Sequence, residues 1–220
     1  MPALSTLSGP RLLPQSGERP RKLVVFLHGY GADGNDLIDI GRLWAPILPQ
    51  AAFSSPNAVE PCAGAPMGRQ WFSLTFRDQE EIWRGVQATR PILAQFLESE
   101  LSEFGLIGKD LALVGFSQGT MMALDAATRF PAGIAGVVGY SGLLAGAKYL
   151  AEELRRRPPV LLVHGERDQV IPVQALRYSA EALAGAGLSV EAHVRPLLGH
   201  GIDQEGLRLG VQFLQRVFTD

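Results

Sequence analysis

Apolar residues fall along this chain in two alternating patterns. Short unbroken runs recur at Leu23 to Leu27, Leu111 to Val114 and Val160 to Val163. Runs of this kind predict strands buried on both faces. Ala51 to Ser55 and Ala132 to Tyr140 read as further strands. Between them, apolar residues recur at helical spacing: Leu37, Ile40 and Trp44; then Val86, Leu93, Leu97, Leu101 and Phe104; finally Leu207, Val211, Leu214 and Phe218. Pro46 and Pro49 stop the first of these helices. Pro91 falls inside the second, where the spacing leaves a kink or a restart open. Further helices are expected after Ser117, from about 143 to Arg156, and from about Val173 to Ala184. Ser189 to Arg195 alternates strictly, which predicts an edge strand with Val190, Ala192 and Val194 inward and Glu191, His193 and Arg195 outward.

Strands alternating with helices predict an α/β chain with a mostly parallel central sheet flanked by helices on both faces. One domain is expected over 1–220, with 1–20 an irregular lead-in carrying a short edge strand near Leu12 and Leu13. Residues 58–80 show no periodicity and read as one long loop, whose aromatics argue for order and function.

Composition narrows the function classes. The chain has 220 residues, 46% of them hydrophobic, and a net charge of −2, so it carries no electrostatic footprint for nucleic acid. Its one basic cluster, Arg155 to Arg157, reads as a helix end. Cys62 is the only cysteine, which excludes an intrachain disulfide and a zinc cluster. No apolar run approaches the ~18 residues needed to span a bilayer, so no stable membrane insertion is expected. Without a signal pattern at the N-terminus, a cytoplasmic location is the default expectation.

The candidate chemistry centres on Gly115-Phe116-Ser117-Gln118-Gly119, between a strand and a helix. Such a strand–turn–helix context makes it the nucleophile elbow of an α/β-hydrolase fold. A turn sharp enough to present a serine needs small neighbours, hence Gly115 and Gly119. The elbow sets a chain order of serine, then acid, then histidine. Of four histidines, His28 and His164 fail that order and read as packed structural residues. His193 reads as solvated, and His200 sits in a glycine-flanked turn after the last strand, where a base belongs. Asp168 and Glu166 both follow a strand, and the residues alone only lean towards Asp168; Asp203 and Asp125 are poorly placed. Gln118 and Tyr30 are the expected main-chain donors to an oxyanion. Gly29 and Gly31 give the amide of Tyr30 its freedom. Trp71 divides evenly between substrate wall and core lid. The same choice is open for Met67, Leu74 and Phe76.

These segments resemble the phospholipase/carboxylesterase family of α/β-hydrolases, which includes the acyl-protein thioesterases. Leu27 to Asp33, Gly115 to Gly119, His164 to Asp168 with Val170 and Pro172, and Gly199-His200 carry the resemblance, which covers about 21–218. It implies a triad of Ser117, Asp168 and His200, with Tyr30 and Gln118 as oxyanion donors. Family members typically have leucine where Tyr30 stands, and many have aspartate where Ser73 stands. The resemblance places Trp71, Phe72 and Val170 at the substrate. It implies a serine carboxylesterase that needs no cofactor or metal and has no large cap domain. The expected partner is a small-molecule ester or thioester, and a homodimer is left open. Short to medium acyl chains are expected, because residues 143–158 leave no room for a long lid. Thioester or lysophospholipid hydrolysis, acyl transfer or perhydrolysis, and a non-catalytic binding role are the alternatives.

Overall fold

The computed structural model describes residues 7–75 and 78–219, so Phe76 lies outside them. The strands are β1 (Arg11–Leu12), β2 (Lys22–Leu27), β3 (Ala51–Ser54), β4 (Glu60–Cys62), β5 (Ala65–Gln70), β6 (Leu111–Phe116), β7 (Gly136–Tyr140), β8 (Val160–Gly165) and β9 (Val190–Arg195). The helices are α1 (Gly34–Trp44), α2 (Gln79–Phe104), α3 (Gln118–Arg129), α4 (Leu150–Glu153), α5 (Gln174–Gly185) and α6 (Gln204–Thr219). Seven strands form one sheet in the order β1-β3-β2-β6-β7-β8-β9. Only β1 runs antiparallel to its neighbour.

Side-chain alternation along the central strands fills two cores. Leu23, Val25 and Leu27 of β2 face α2, α3 and α5, whereas Val24 and Phe26 face α1 and α6. All of these strand residues are fully buried, and each is worth about 1.5–3 kcal/mol of burial. On the second face, the Tyr140 hydroxyl donates to Gly206 O at 2.9 Å. A Cβ at Gly210 would lie 2.1 Å from that hydroxyl, so the glycine lets α6 close onto β7. Burial raises the Tyr140 phenol far above its ordinary pKa, so it stays a neutral donor.

The order reverses between β2 and β6: β3 follows β2 on one side, and β6 to β9 extend on the other. In such sheets ligands bind at this reversal, beyond the carboxyl ends of the strands. The turn ending in Ser117 and the loop holding Tyr30 leave the sheet there, side by side.

Several expectations need correction. Residues 58–80 are not one loop: β4 and β5 pair as an antiparallel hairpin. Of the two readings left open at Pro91, the restart is excluded: α2 is a single 26-residue helix. The helix expected to reach Arg156 stops at Glu153 and spans four residues. Arg156 and Arg157 therefore do not serve their own helix end. Arg156 donates to Pro131 O, and Arg157 Nε donates to Ala186 O at 2.9 Å, at the carbonyl end of α5. On β9 only Val190 packs against the core, while Ala192 and Val194 are exposed and His193 is half-buried. Of the outward set, His193 and Arg195 are half-buried; Arg195 Nε bonds Asp203 at 3.0 Å, and Arg216 Nη2 of α6 bonds the exposed Glu191 at 2.7 Å.

Candidate active site

Ser117 sits at φ 52° and ψ −115°, in the region that favours glycine, at a strain of about 1–3 kcal/mol. Its surroundings hold it there. Its amide donates to Tyr140 O at 2.9 Å, and Thr120 N donates to Ser117 O at 3.0 Å. A Cβ at Gly115 would lie 2.5 Å from Thr120 N, so the small residue is required where the turn closes on itself. Every residue of α3 is buried, which fixes the helix that begins at Gln118. The Ser117 side chain makes no capping bond to that helix.

His200 lies beside this turn, its ring 5.0 Å from that of Phe116. His200 Nδ1 is 2.8 Å from Asp168 Oδ2, so Nδ1 carries the proton and donates it to the carboxylate. That tautomer leaves Nε2 with the lone pair. Asp168 Oδ1 accepts from Val170 N at 2.8 Å and Ile171 N at 2.9 Å. Burial alone would raise the Asp168 pKa, but the His200 bond and the two amides outweigh it and lower it. A depressed carboxyl contributes stability that is full above the ordinary value near about 4 and lost as pH falls through the folded value. The gap in unfolding free energy between wild type and Asp168→Asn should therefore be constant above about pH 5 and shrink below about pH 4. Denaturant melts across pH 2.5–7 check this, and a gap that grows in acid contradicts it.

The loops carrying Asp168 and His200 are zipped together. Arg167 N donates to Leu198 O at 2.8 Å, and Glu166 N donates to Arg195 O at 2.9 Å. A Cβ at Gly165 would lie 2.2 Å from Gly199 O, so this glycine lets the His200 turn rest on the end of β8. Ser141, at φ 45°, donates from Oγ to Gly201 O at 3.1 Å and ties the end of β7 to the same turn. The other acids are engaged elsewhere. Glu166 accepts from Leu197 N, Asp203 from Arg195 and Gly206 N, and Asp125 from Arg90.

Tyr30 N and Gln118 N donate to no backbone carbonyl among the described residues. A Cβ at Gly29 would lie 3.5 Å from Ser117 Cβ, which puts the Tyr30 loop against the serine. A chain of buried bonds fixes that loop. His28 Nε2 accepts from Ala58 N at 3.0 Å, so the ring's proton is on Nδ1, which donates to Gly29 O at 2.8 Å. Burial lowers the His28 pKa and keeps the ring neutral. Gly31 N donates to Arg69 O, and Arg69 N donates to Ala32 O, so the β4–β5 hairpin braces the loop from outside.

Trp71 and Phe72 are 1% and 4% exposed, so they are not the open substrate wall expected from the resemblance. The Trp71 indole donates to His28 O at 2.9 Å. Gln118 Oε1 accepts from Trp71 N at 2.9 Å, and its Nε2 donates to Phe72 O at 2.7 Å. Both aromatics thus pin the beginning of α3 to the Tyr30 loop from beneath. Val170 is 50% exposed beside Asp168, and Tyr30 is 38% exposed. Met67 stands out at 90%, whereas Leu74 packs against the larger core. Sequence reasoning missed three contributors: Ser141, Arg69, and His164, whose ring touches Asp168. Ser141-Gly142 at a strand end was the available signal for the first. Among the described residues no three His, Cys, Asp or Glu side chains cluster to hold a metal ion, and no helix is long and apolar enough to cross a membrane.

A strained serine between β6 and α3 at the reversal of a mostly parallel sheet defines an α/β-hydrolase fold. The chain belongs to the Phospholipase/Carboxylesterase family, whose model matches residues 13–218. It is 38% identical to esterase PE8, whose crystal structure superposes with a TM-score of 0.93 over 97% of this chain and 100% of that one. Esterase YpfH of Escherichia coli K12 is 30% identical, covering 91% of this chain and 85% of the relative. Acyl-protein thioesterase 1 of Gibberella zeae is 26% identical, covering 88% and 89%. The chain is thus a member of a hydrolase family of esterases and thioesterases.

Proposed function

We propose that this protein is a serine carboxylesterase acting on esters of short to medium acyl chains. The observation that carries the reading is the strained Ser117 beside a His200 whose Nδ1 lies 2.8 Å from Asp168. Ser117 Oγ attacks the acyl carbon while His200 Nε2 takes its proton. Asp168 holds the tautomer and stabilises the imidazolium. The amides of Tyr30 and Gln118 receive the oxyanion. On collapse, His200 protonates the departing alkoxide and leaves an acyl-enzyme. Water then attacks as His200 takes its proton, and on collapse His200 returns that proton to Ser117 Oγ as the acid leaves.

Two features support the chain-length range. Between β7 and β8 the chain holds only a 3-10 turn at Ala147–Tyr149 and the four-residue α4, so no long lid is built there. A groove of about 370 Å³ lies between Leu143–Lys148, Ile82 of α2 and Ala175 of α5. Its lining starts at Leu143, next to Gly142, whose Cβ would lie 2.8 Å from the Ser117 main-chain carbonyl; Ser117 and His200 themselves do not line it. A panel of acetyl, octanoyl and palmitoyl esters and thioesters tests the reading. Highest kcat/KM is expected on acetyl to octanoyl oxygen esters. A preference for palmitoyl thioesters would replace it with acyl-protein thioesterase activity, which relatives of that name make the second reading. Absence of any burst with an activated ester would favour a non-catalytic role. Ala175→Trp should lower kcat/KM on octanoyl esters by about 10-fold, the value of one to two methylenes, and leave acetyl esters unchanged.

A further inference from the structure

We infer that His164 is a positioning residue that sets the Asp168 carboxylate for His200, an inference that rests on the triad proposed above. His164 is the penultimate residue of β8, four residues before Asp168, and is 1% exposed. Its Nε2 lies 2.8 Å from Ile171 O and 3.1 Å from Asp168 Oδ2. Both neighbours are acceptors, so Nε2 carries the proton; a lone pair there would face two oxygens. The N–H donates to Ile171 O and presents its positive end to the same carboxylate oxygen that receives His200.

The consequence is a closed loop. Ile171 accepts from His164 through its carbonyl and donates to Asp168 Oδ1 through its amide at 2.9 Å. His164 thus clasps the beginning of the acid loop to its end, seven residues on. Inside the clasp each carboxylate oxygen is held: Oδ1 by two amides, Oδ2 by His200 with the His164 dipole alongside. An aspartate rotates about two bonds, and small displacements of a catalytic group can cost about 10²-fold in rate. Asp168 is on a loop between β8 and α5, where its rotamer must be fixed by neighbours. A histidine that only filled space would need neither its proton on Nε2 nor these two oxygens in reach.

The test compares His164→Phe, His164→Asn and His164→Gln with wild type and Ser117→Ala, on p-nitrophenyl acetate and by proton NMR. Gln carries an N–H about as far from its Cα as Nε2 and can reach Ile171 O, whereas Asn falls short and Phe has no donor. Phe and Asn should lower kcat about 10–100-fold with KM within about 3-fold, and Gln should restore kcat to within about 5-fold of wild type. The low-field resonance of the His200 Nδ1 proton should shift or broaden in Phe and Asn and return in Gln. If Phe does not fold, the Asn and Gln pair decides. Folded Phe or Asn variants with wild-type kcat and an unmoved resonance overturn the inference. So does a loss of rate with the resonance unmoved, or a loss that Gln shares. An active Ser117→Ala overturns the triad instead, and the resonance still reports whether His164 orders Asp168.

Discussion

Ser117→Ala should lower kcat on p-nitrophenyl acetate by about 10⁵–10⁶-fold while leaving the fold intact. Alanine retains the Cβ, so the backbone strain at φ 52° is unchanged. The lost hydroxyl makes no capping bond to α3, so stability should move by no more than about 0.5 kcal/mol. The two readouts therefore separate cleanly. Residual hydrolysis should stay about 10³–10⁴ above water, because the Tyr30 and Gln118 amides, the oxyanion donors proposed above, are untouched by the substitution. Labelling by a fluorophosphonate should disappear with the rate. A variant that still labels and still turns over would place the nucleophile elsewhere and remove the reason for the strained turn.

What the sequence makes legible follows from where each signal is local. The β6 turn can be read because strand, small residues and helix are contiguous, and because the strain at Ser117 demands Gly115 and Gly119 as near neighbours. Asp168 and His200, the proposed acid and base, can be picked out through chain order and strand ends, and the fold brings them within 2.8 Å of each other. Roles that depend on distant partners are not. Trp71 is covered because Gln118, 47 residues away, bonds its amide, and Thr89 donates to its carbonyl at 2.7 Å. No periodicity near Trp71 carries that information. The β4–β5 hairpin is hidden because Pro61, Gly64, Pro66 and Gly68 break any alternation. What holds it is main-chain bonding to Gly31 and Ala32. His164 and His28 look alike in sequence, each ending a strand ahead of a glycine. Folding gives one a place against Asp168 and the other a place under the Tyr30 loop.

Gly119→Ala should be the most disruptive single-methyl change at the site. The added Cβ would lie 1.8 Å from Leu27 O and 2.7 Å from His28 O. Both obstacles are backbone: Leu27 ends β2, where it pairs with Gly115 of β6, and His28 follows it directly. No side-chain rotation relieves that contact, so α3 must back away from the sheet. The cost should be about 3 kcal/mol or more, at the upper end for overpacking. The movement also separates the Gln118 amide from the Tyr30 loop, and on the proposed mechanism loss of one oxyanion donor costs about 10²–10³-fold in kcat. Gly185→Ala is the control: it sits in α5 with nothing within 4 Å of the added Cβ. There alanine should stabilise by up to about 1 kcal/mol through helix propensity and leave kcat unchanged. Chemical denaturation and esterase assays on the pair read both effects. If Gly119→Ala folds with wild-type stability and rate, α3 can slide on β2, and the elbow does not need a glycine there. If it folds but loses kcat alone, the glycine serves the position of the Gln118 amide more than the stability of the sheet. The close approach to His28 O, in the chain leading to Tyr30, makes loss of both the expected result.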